Sequence, residues 1–116
     1  RVSLEKAAAF YAGRPGADAY SRLFAPDFAA LPAAQIESTG YAPSTLEAAI
    51  WCVLTSDSYR SCVLKAVNLG GDADTIAAVA GSLAGALYGR ASIPPEWVEV
   101  LARRKEIDAM CGRFFA

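Results

Sequence analysis

The clearest pattern in the chain lies between residues 44 and 88, where apolar positions recur at helical spacing and small polar residues mark the breaks. Ser44-Thr45-Leu46-Glu47 has the form of a capping box, in which each end satisfies a free backbone donor of the other. Leu46, Ile50, Val53 and Leu54 follow on one face, widened by Trp51 and Cys52, so a helix is predicted to about Thr55. Asp57 is placed to cap the next helix, with Cys62, Val63, Ala66, Val67 and Leu69 inward, Arg60 and Lys65 outward, and a stop at Gly70-Gly71. A third helix is predicted from Asp72 to about Tyr88, with Ile76, Val79, Ala80, Leu83 and Leu87 forming its buried face. Gly81, Gly85 and Gly89 recur every four residues, leaving an edge against which another backbone can lie. Glycine inside a helix costs about 1 kcal/mol relative to alanine, so this spacing implies a crowded, central helix.

The flanks are less regular. Ser3 can cap a first helix to about Tyr11, ended by Gly13 and Pro15, and Ala17 to Phe24 reads as a second. Residues 25–43, with Pro26, Pro32, Gly40 and Pro43, read as a connection with one or two turns. Pro94-Pro95-Glu96-Trp97 opens a helix with proline in its first turn, and Ile107 to Phe115 closes the chain. Trp51, Trp97, Phe114 and Phe115 are expected in the core.

Composition narrows the class. A chain of 116 residues suits one domain and can bury a core. With 54% hydrophobic residues and 25 alanines, it is expected to be all-α, a multi-helix orthogonal bundle packed through small faces. The chain does not begin with Met, and Arg1-Val2-Ser3-Leu4-Glu5 already reads as helical, as expected of the later part of a longer protein. Eleven basic and twelve acidic residues give net −1, and no basic cluster beyond Arg103-Arg104-Lys105 offers a footprint for nucleic acid or anionic lipid. The apolar stretch from Thr75 to Tyr88 falls short of the ~20 residues a bilayer needs, and no signal peptide is legible, so no membrane partner is expected. Cys52, Cys62 and Cys111 are an odd number without a close pair; they read as buried small hydrophobes in a reducing, cytoplasmic setting. Histidine is absent, so carboxylates must carry any chemistry.

One stretch gathers those carboxylates. In Gly70-Gly71-Asp72-Ala73-Asp74-Thr75, two glycines let the chain reverse and bring its backbone close to a bound group. In a continuous helix Asp72 and Asp74 would point to roughly opposite sides, two steps of ~100° apart. At a helix entrance Asp72 is free of helical backbone and can turn back over the end beside Asp74 and Thr75. Such oxygens suit hard cations, Mg²⁺, Mn²⁺ or Ca²⁺. The same residues suit a plain cap with a second acid complementing the helix dipole, and spacing alone favours that cap; it does not point to metal.

The wider context does. "NLGGDADTIAAVAGSLAGALYG", preceded by "TGYAPSTLEAAIWCVLTSDSYRSCVLKAV" and followed by "IPPEWVEVL", resembles the C-terminal third of the ADP-ribosylglycohydrolases, over about residues 39–107 and most closely at 66–89. The resemblance implies an all-α fold with two divalent cations, Mg²⁺ or Mn²⁺, at the foot of a cleft that binds ADP-ribose, and hydrolysis of the bond between the anomeric ribose carbon and an arginine, serine or other acceptor. Matched to the family's Gly-Gly-Asp-Thr-Asp-Thr segment, Asp72, Asp74 and Thr75 would ligate metal, and Gly70 and Gly71 would lie against the substrate; Ala73 replaces a threonine that holds no metal. Tyr41, in Thr39-Gly40-Tyr41, matches a position lining the ribose side, and as a residue it could equally pack under its loop.

The family's second acidic segment, Thr-Asp-Asp or Ser-Asp-Asp, and its early acidic residue find no counterpart here, since Ser56-Asp57-Ser58 lacks the paired acids. The expectation is a single helical segment, residues 1–116, forming the C-terminal part of a longer domain, inactive alone, with the general acid and base outside the chain. Its expected partners are an ADP-ribosylated protein or ADP-ribose-containing small molecule, the missing N-terminal part and, through uncovered apolar surface, another copy of itself. The other reading is a non-catalytic relative, a structural or ADP-ribose-binding module; an alanine-rich helical domain with no site is a third.

Overall fold

The computed structural model describes residues 2–114 and, among them, only helices and connections: α1 (Val2–Tyr11), α2 (Ala42–Leu54), α3 (Tyr59–Val67), α4 (Ala73–Tyr88), α5 (Pro95–Glu99) and α6 (Arg104–Phe114), with 3-10 segments at Ala17–Phe24, Phe28–Ala30, Ala33–Gln35 and Arg90–Ser92. The expected all-α architecture is present.

Helix α4 is central, packed on α3 and on α2. Its fully buried stripe is Ile76, Ala80 and Ala84, four residues apart, facing the small side of α2, Ala48, Ala49 and Cys52, and Cys62 and Ala66 of α3. Alanine has no side-chain entropy to lose and lets helix axes approach, which is why an alanine-rich sequence yields this core. The large residues surround it: Phe28 and Trp51 are buried, and the Trp51 indole N–H donates to the Leu31 carbonyl at 3.0 Å, pinning the 25–41 connection onto α2. Helices α2 and α4 run in the same sense. Their N-terminal ends both bond to the loop at residues 38–41, and at the other end Tyr88, the last residue of α4, donates its hydroxyl to the Ser56 carbonyl just past α2 at 3.1 Å.

Several expectations are corrected. The capping box at Ser44 does not form, because α2 starts at Ala42 with Pro43 in its first turn, where a missing N–H costs nothing. Ser44 and Thr45 are buried, and their hydroxyls point back to the preceding loop. The cap of α3 is Ser58, reciprocally bonded with Ser61, whereas Asp57 accepts from the Ser61 hydroxyl. Ser3 lies inside α1, and the predicted helix at 17–24 is of the 3-10 type.

Of the residues predicted inward, Trp51, Cys52, Cys62, Ala66, Ile76 and Ala80 are buried, and the departures from the periodicity favour small residues at the helix contacts. Leu54, Val67, Leu83 and Leu87 are exposed, since alanine and cysteine already occupy the helix contacts and leave the leucines on the outer flanks. Lys65 is half-buried, its ammonium donating to the Thr55 hydroxyl at 2.8 Å. The glycine edge of α4 receives a side chain and not a backbone: a Cβ at Gly81 would stand 3.4 Å from the Tyr59 hydroxyl, and one at Gly85 3.8 Å from its ring. Trp97 is half-buried against Tyr59, with ring centroids 6.3 Å apart. Phe114 is 83% exposed and Cys111 is exposed, both on α6, which buries no residue and is tied to the body through the Arg90–Asp108 ion pair. Phe115 lies outside the described residues.

Candidate functional site

The entrance to α4 is built by the two glycines before it. Gly70 and Gly71 take positive φ of 74° and 57°, turning the chain so that Asp72 arrives as the N-cap with non-helical backbone, φ −85° and ψ 46°. The expected departure from helical geometry at Asp72 is therefore present. Its side chain, however, accepts no backbone N–H from the helix it caps. Oδ1 accepts from the Thr75 hydroxyl at 3.0 Å, and Oδ2 faces Gly40, where an added Cβ would stand 3.5 Å away. Asp74 accepts the Thr75 N–H at 2.9 Å. Thr75 is thus shared by the two acids, its N–H on the Asp74 carboxylate and its hydroxyl on the Asp72 carboxylate. Asp74 and Thr75 are exposed and Asp72 is half-buried.

The second wall is the loop at residues 37–41. The Ser38 carbonyl accepts the Asp72 N–H at 3.3 Å, and the Ser38 hydroxyl donates to the Gly70 carbonyl. A Cβ at Gly71 would sit 2.2 Å from the Ser38 carbonyl oxygen, so this approach requires glycine. On its other side the loop is held by α2: Thr45 donates to the Thr39 carbonyl at 3.0 Å and Ser44 to the Glu37 carboxylate at 2.9 Å. Tyr41 is the N-cap residue of α2 and is 63% exposed, so it does not pack under the loop. The N-termini of α2 and α4 converge here, and their positive ends favour negative charge at the site.

All six sequence-predicted residues, Tyr41, Gly70, Gly71, Asp72, Asp74 and Thr75, therefore belong to one neighbourhood. Sequence reasoning missed Ser38 and Gly40, which shape it, and misread Ser44 and Thr45 as a helix cap. The donors present are three side chains with hard oxygens, two carboxylates and a hydroxyl, which suit Mg²⁺ or Mn²⁺ in kind and fall short of filling two coordination spheres of about six ligands each. Among the described residues no group of three or more Asp, Glu, Cys or His side chains could hold a metal ion. The buried cysteines offer no alternative chemistry: burial pushes the Cys52 thiol up to about 11, with Cys62 adding to it and Lys65 opposing, and burial likewise raises Cys62. A thiol so held stays protonated and is a poor nucleophile.

A family model described as ADP-ribosylglycohydrolase matches residues 2–116. The chain is similar to the ADP-ribosylarginine hydrolase Tri1 of Pseudomonas putida, 49% identical over 81 residues that make up 70% of this chain and 22% of that protein. It is 38% identical over 80 residues to the ADP-ribosyl-(dinitrogen reductase) glycohydrolase of Rhodospirillum rubrum, covering 64% of this chain and 27% of that protein. It is 37% identical over 54 residues to the human ADP-ribosylhydrolase ARH3, covering 47% of this chain and 15% of that protein. The chain thus spans about a quarter or less of the length of these relatives.

Proposed function

The chain belongs to the ADP-ribosylglycohydrolase family, and from that premise we propose that it supplies part of the catalytic centre of an enzyme that hydrolyses the glycosidic bond joining ADP-ribose to an acceptor, with Asp72, Asp74 and Thr75 forming one side of a site for two divalent cations, Mg²⁺ or Mn²⁺. The substrate is an ADP-ribosylated protein side chain, arginine being the acceptor in the name of a relative 49% identical to this chain. Water adds its hydroxyl to the anomeric ribose carbon as the bond to the acceptor breaks, and the proton passes to the acceptor.

The observation that carries this reading is the Asp72 carboxylate, which stands at a helix N-terminus without serving as its cap. A simple cap would accept the N–H two or three residues on. Here the carboxylate takes a hydroxyl on one oxygen and directs the other into the Gly40 notch, as an anionic ligand-holding group would. Divalent ions held by Asp72, Asp74 and Thr75 would supply polarisation of the ribose hydroxyls and orientation of water. The chain's own residues would do the rest: Thr75 bonds both carboxylates, Gly70 and Gly71 leave the backbone before Asp72 without side chains, and Tyr41, exposed at the start of α2, would line the ribose side. The remaining carboxylate ligands and the general acid and base are assigned to chain outside these 116 residues.

The test is release of ADP-ribose from an ADP-ribosylarginine peptide by the full-length protein. Chelation abolishes the activity, Mg²⁺ or Mn²⁺ restores it, and Asp72→Asn or Asp74→Asn lowers kcat/KM by about a hundredfold or more, as expected for direct ligands whose outer partners alone are worth 10–100-fold. Metal-independent turnover, or full activity in both variants, sinks the metal reading of Asp72 and Asp74, and no turnover by the full-length protein with either metal favours a non-catalytic relative.

A further inference from the structure

Ser38 makes contacts that no other residue of the site makes. It meets the turn before α4 on both sides of Gly71: its carbonyl accepts the Asp72 N–H at 3.3 Å and its hydroxyl donates to the Gly70 carbonyl. The turn lies in left-handed backbone at two successive positions, a conformation with little of its own to hold it, so an external tie decides where Asp72 emerges. Asp72 has only two side-chain torsions, and its carboxylate follows its backbone closely. A shift of the turn away from Ser38 would withdraw Oδ2 from Gly40 and strain the bond from Thr75.

Ser38 is itself braced from both flanks. Thr45, buried at the start of α2, holds the carbonyl of Thr39, and Ser44, also buried, holds the carboxylate of Glu37. Two hydroxyls buried in the first turn of a helix, neither capping it, are explained if their work is to fix the residues on either side of Ser38. A continuous set of bonds then runs from α2 through residues 37–39 to the turn and so to the metal-facing carboxylate on α4.

We propose that Ser38 is a positioning residue for the Asp72 carboxylate, setting cation affinity without touching the cation. This rests on the metal reading of Asp72 given above, and the experiment separates the two. Mn²⁺ binding to the full-length protein is followed by electron paramagnetic resonance of the free ion, alongside the melting temperature of the metal-free protein. Ser38→Ala weakens Mn²⁺ binding by about tenfold, the lower end for an outer partner of a ligand, with little change in melting temperature, and Ser38→Thr, which keeps the hydroxyl, restores it. Asp72→Asn loses binding at the same site. Wild-type affinity in Ser38→Ala with binding lost in Asp72→Asn overturns the role of Ser38 and leaves the metal reading standing; unchanged binding in Asp72→Asn overturns both. If Ser38→Ala is too unstable to titrate, Thr45→Val decides: a loss in the same direction supports the bracing, and wild-type affinity counts against it.

Discussion

Gly70 and Gly71 look equivalent in the sequence and are not equivalent in the fold. Both have positive φ, but an added Cβ at Gly70 meets nothing within 4 Å, whereas at Gly71 it meets the Ser38 carbonyl oxygen at 2.2 Å. Gly70→Ala should therefore cost only the left-handed backbone penalty, about 1–2 kcal/mol. Gly71→Ala adds a clash with backbone that cannot yield without breaking the Ser38–Asp72 bond, and should cost about 2–4 kcal/mol, as backbone strain plus a lost hydrogen bond does. Urea unfolding of the two variants checks the order; equal losses would show that the Ser38 approach is not tight. The need for a turn before Asp72 was legible from the paired glycines. Its partner was not, because Ser38 stands 32 residues before Gly70 in an irregular segment and carries no periodic signal.

The helices themselves were legible where apolar spacing was long and sustained, as in α2, α3 and α4, and the errors lie at their ends and flanks. Ser44-Thr45 and Asp57 each satisfied a capping pattern, but Pro43 already suited the first turn of α2 and Ser58 paired with Ser61, so local chemistry one or two residues away won. The inward faces were right at Cys52, Cys62, Ala66, Ile76 and Ala80 and wrong at Leu54, Val67, Leu83 and Leu87, because leucine outweighs alanine in a hydrophobic pattern whereas close helix contacts also select Ala48, Ala49 and Ala84. The same packing separates the cysteines. Cys52 on α2 and Cys62 on α3 are fully buried and Cys111 on α6 is exposed, so a thiol reagent followed by mass mapping should label Cys111 in the native protein and the other two only on unfolding. Burial raises the Cys52 pKa from 9.0 to about 11, so the folded state prefers the protonated thiol. That contribution to stability is fully present below pH 9 and is lost as pH rises towards 11. Urea midpoints measured across that range should fall less steeply in Cys52→Ala; an identical slope in wild type and variant would show that the thiol does not contribute.

On the scale of the molecule, the chain has a core around α4 and a less enclosed outside. Apolar grooves of about 470 and 410 Å³ flank α1, lined by Leu4, Leu23 and Phe24, and α6 carries Met110 and Phe114 in the open. No helix among the described residues is long and apolar enough to cross a membrane. The site shows a similar incompleteness: three oxygen-bearing side chains stand at one helix entrance, and the acids that would complete two coordination spheres are not among the described residues. The sequence announced this shortage directly, because an absent Thr-Asp-Asp segment can be read without any structure. The central claim is that these residues are one side of a dinuclear site completed by further chain. Calorimetric titration of Mn²⁺ into the full-length protein and into the 116-residue segment tests it most directly. The full-length protein should bind about two ions, as a two-metal hydrolytic centre requires, and the segment none tightly. Tight binding by the segment alone, or none by the full-length protein, would contradict it.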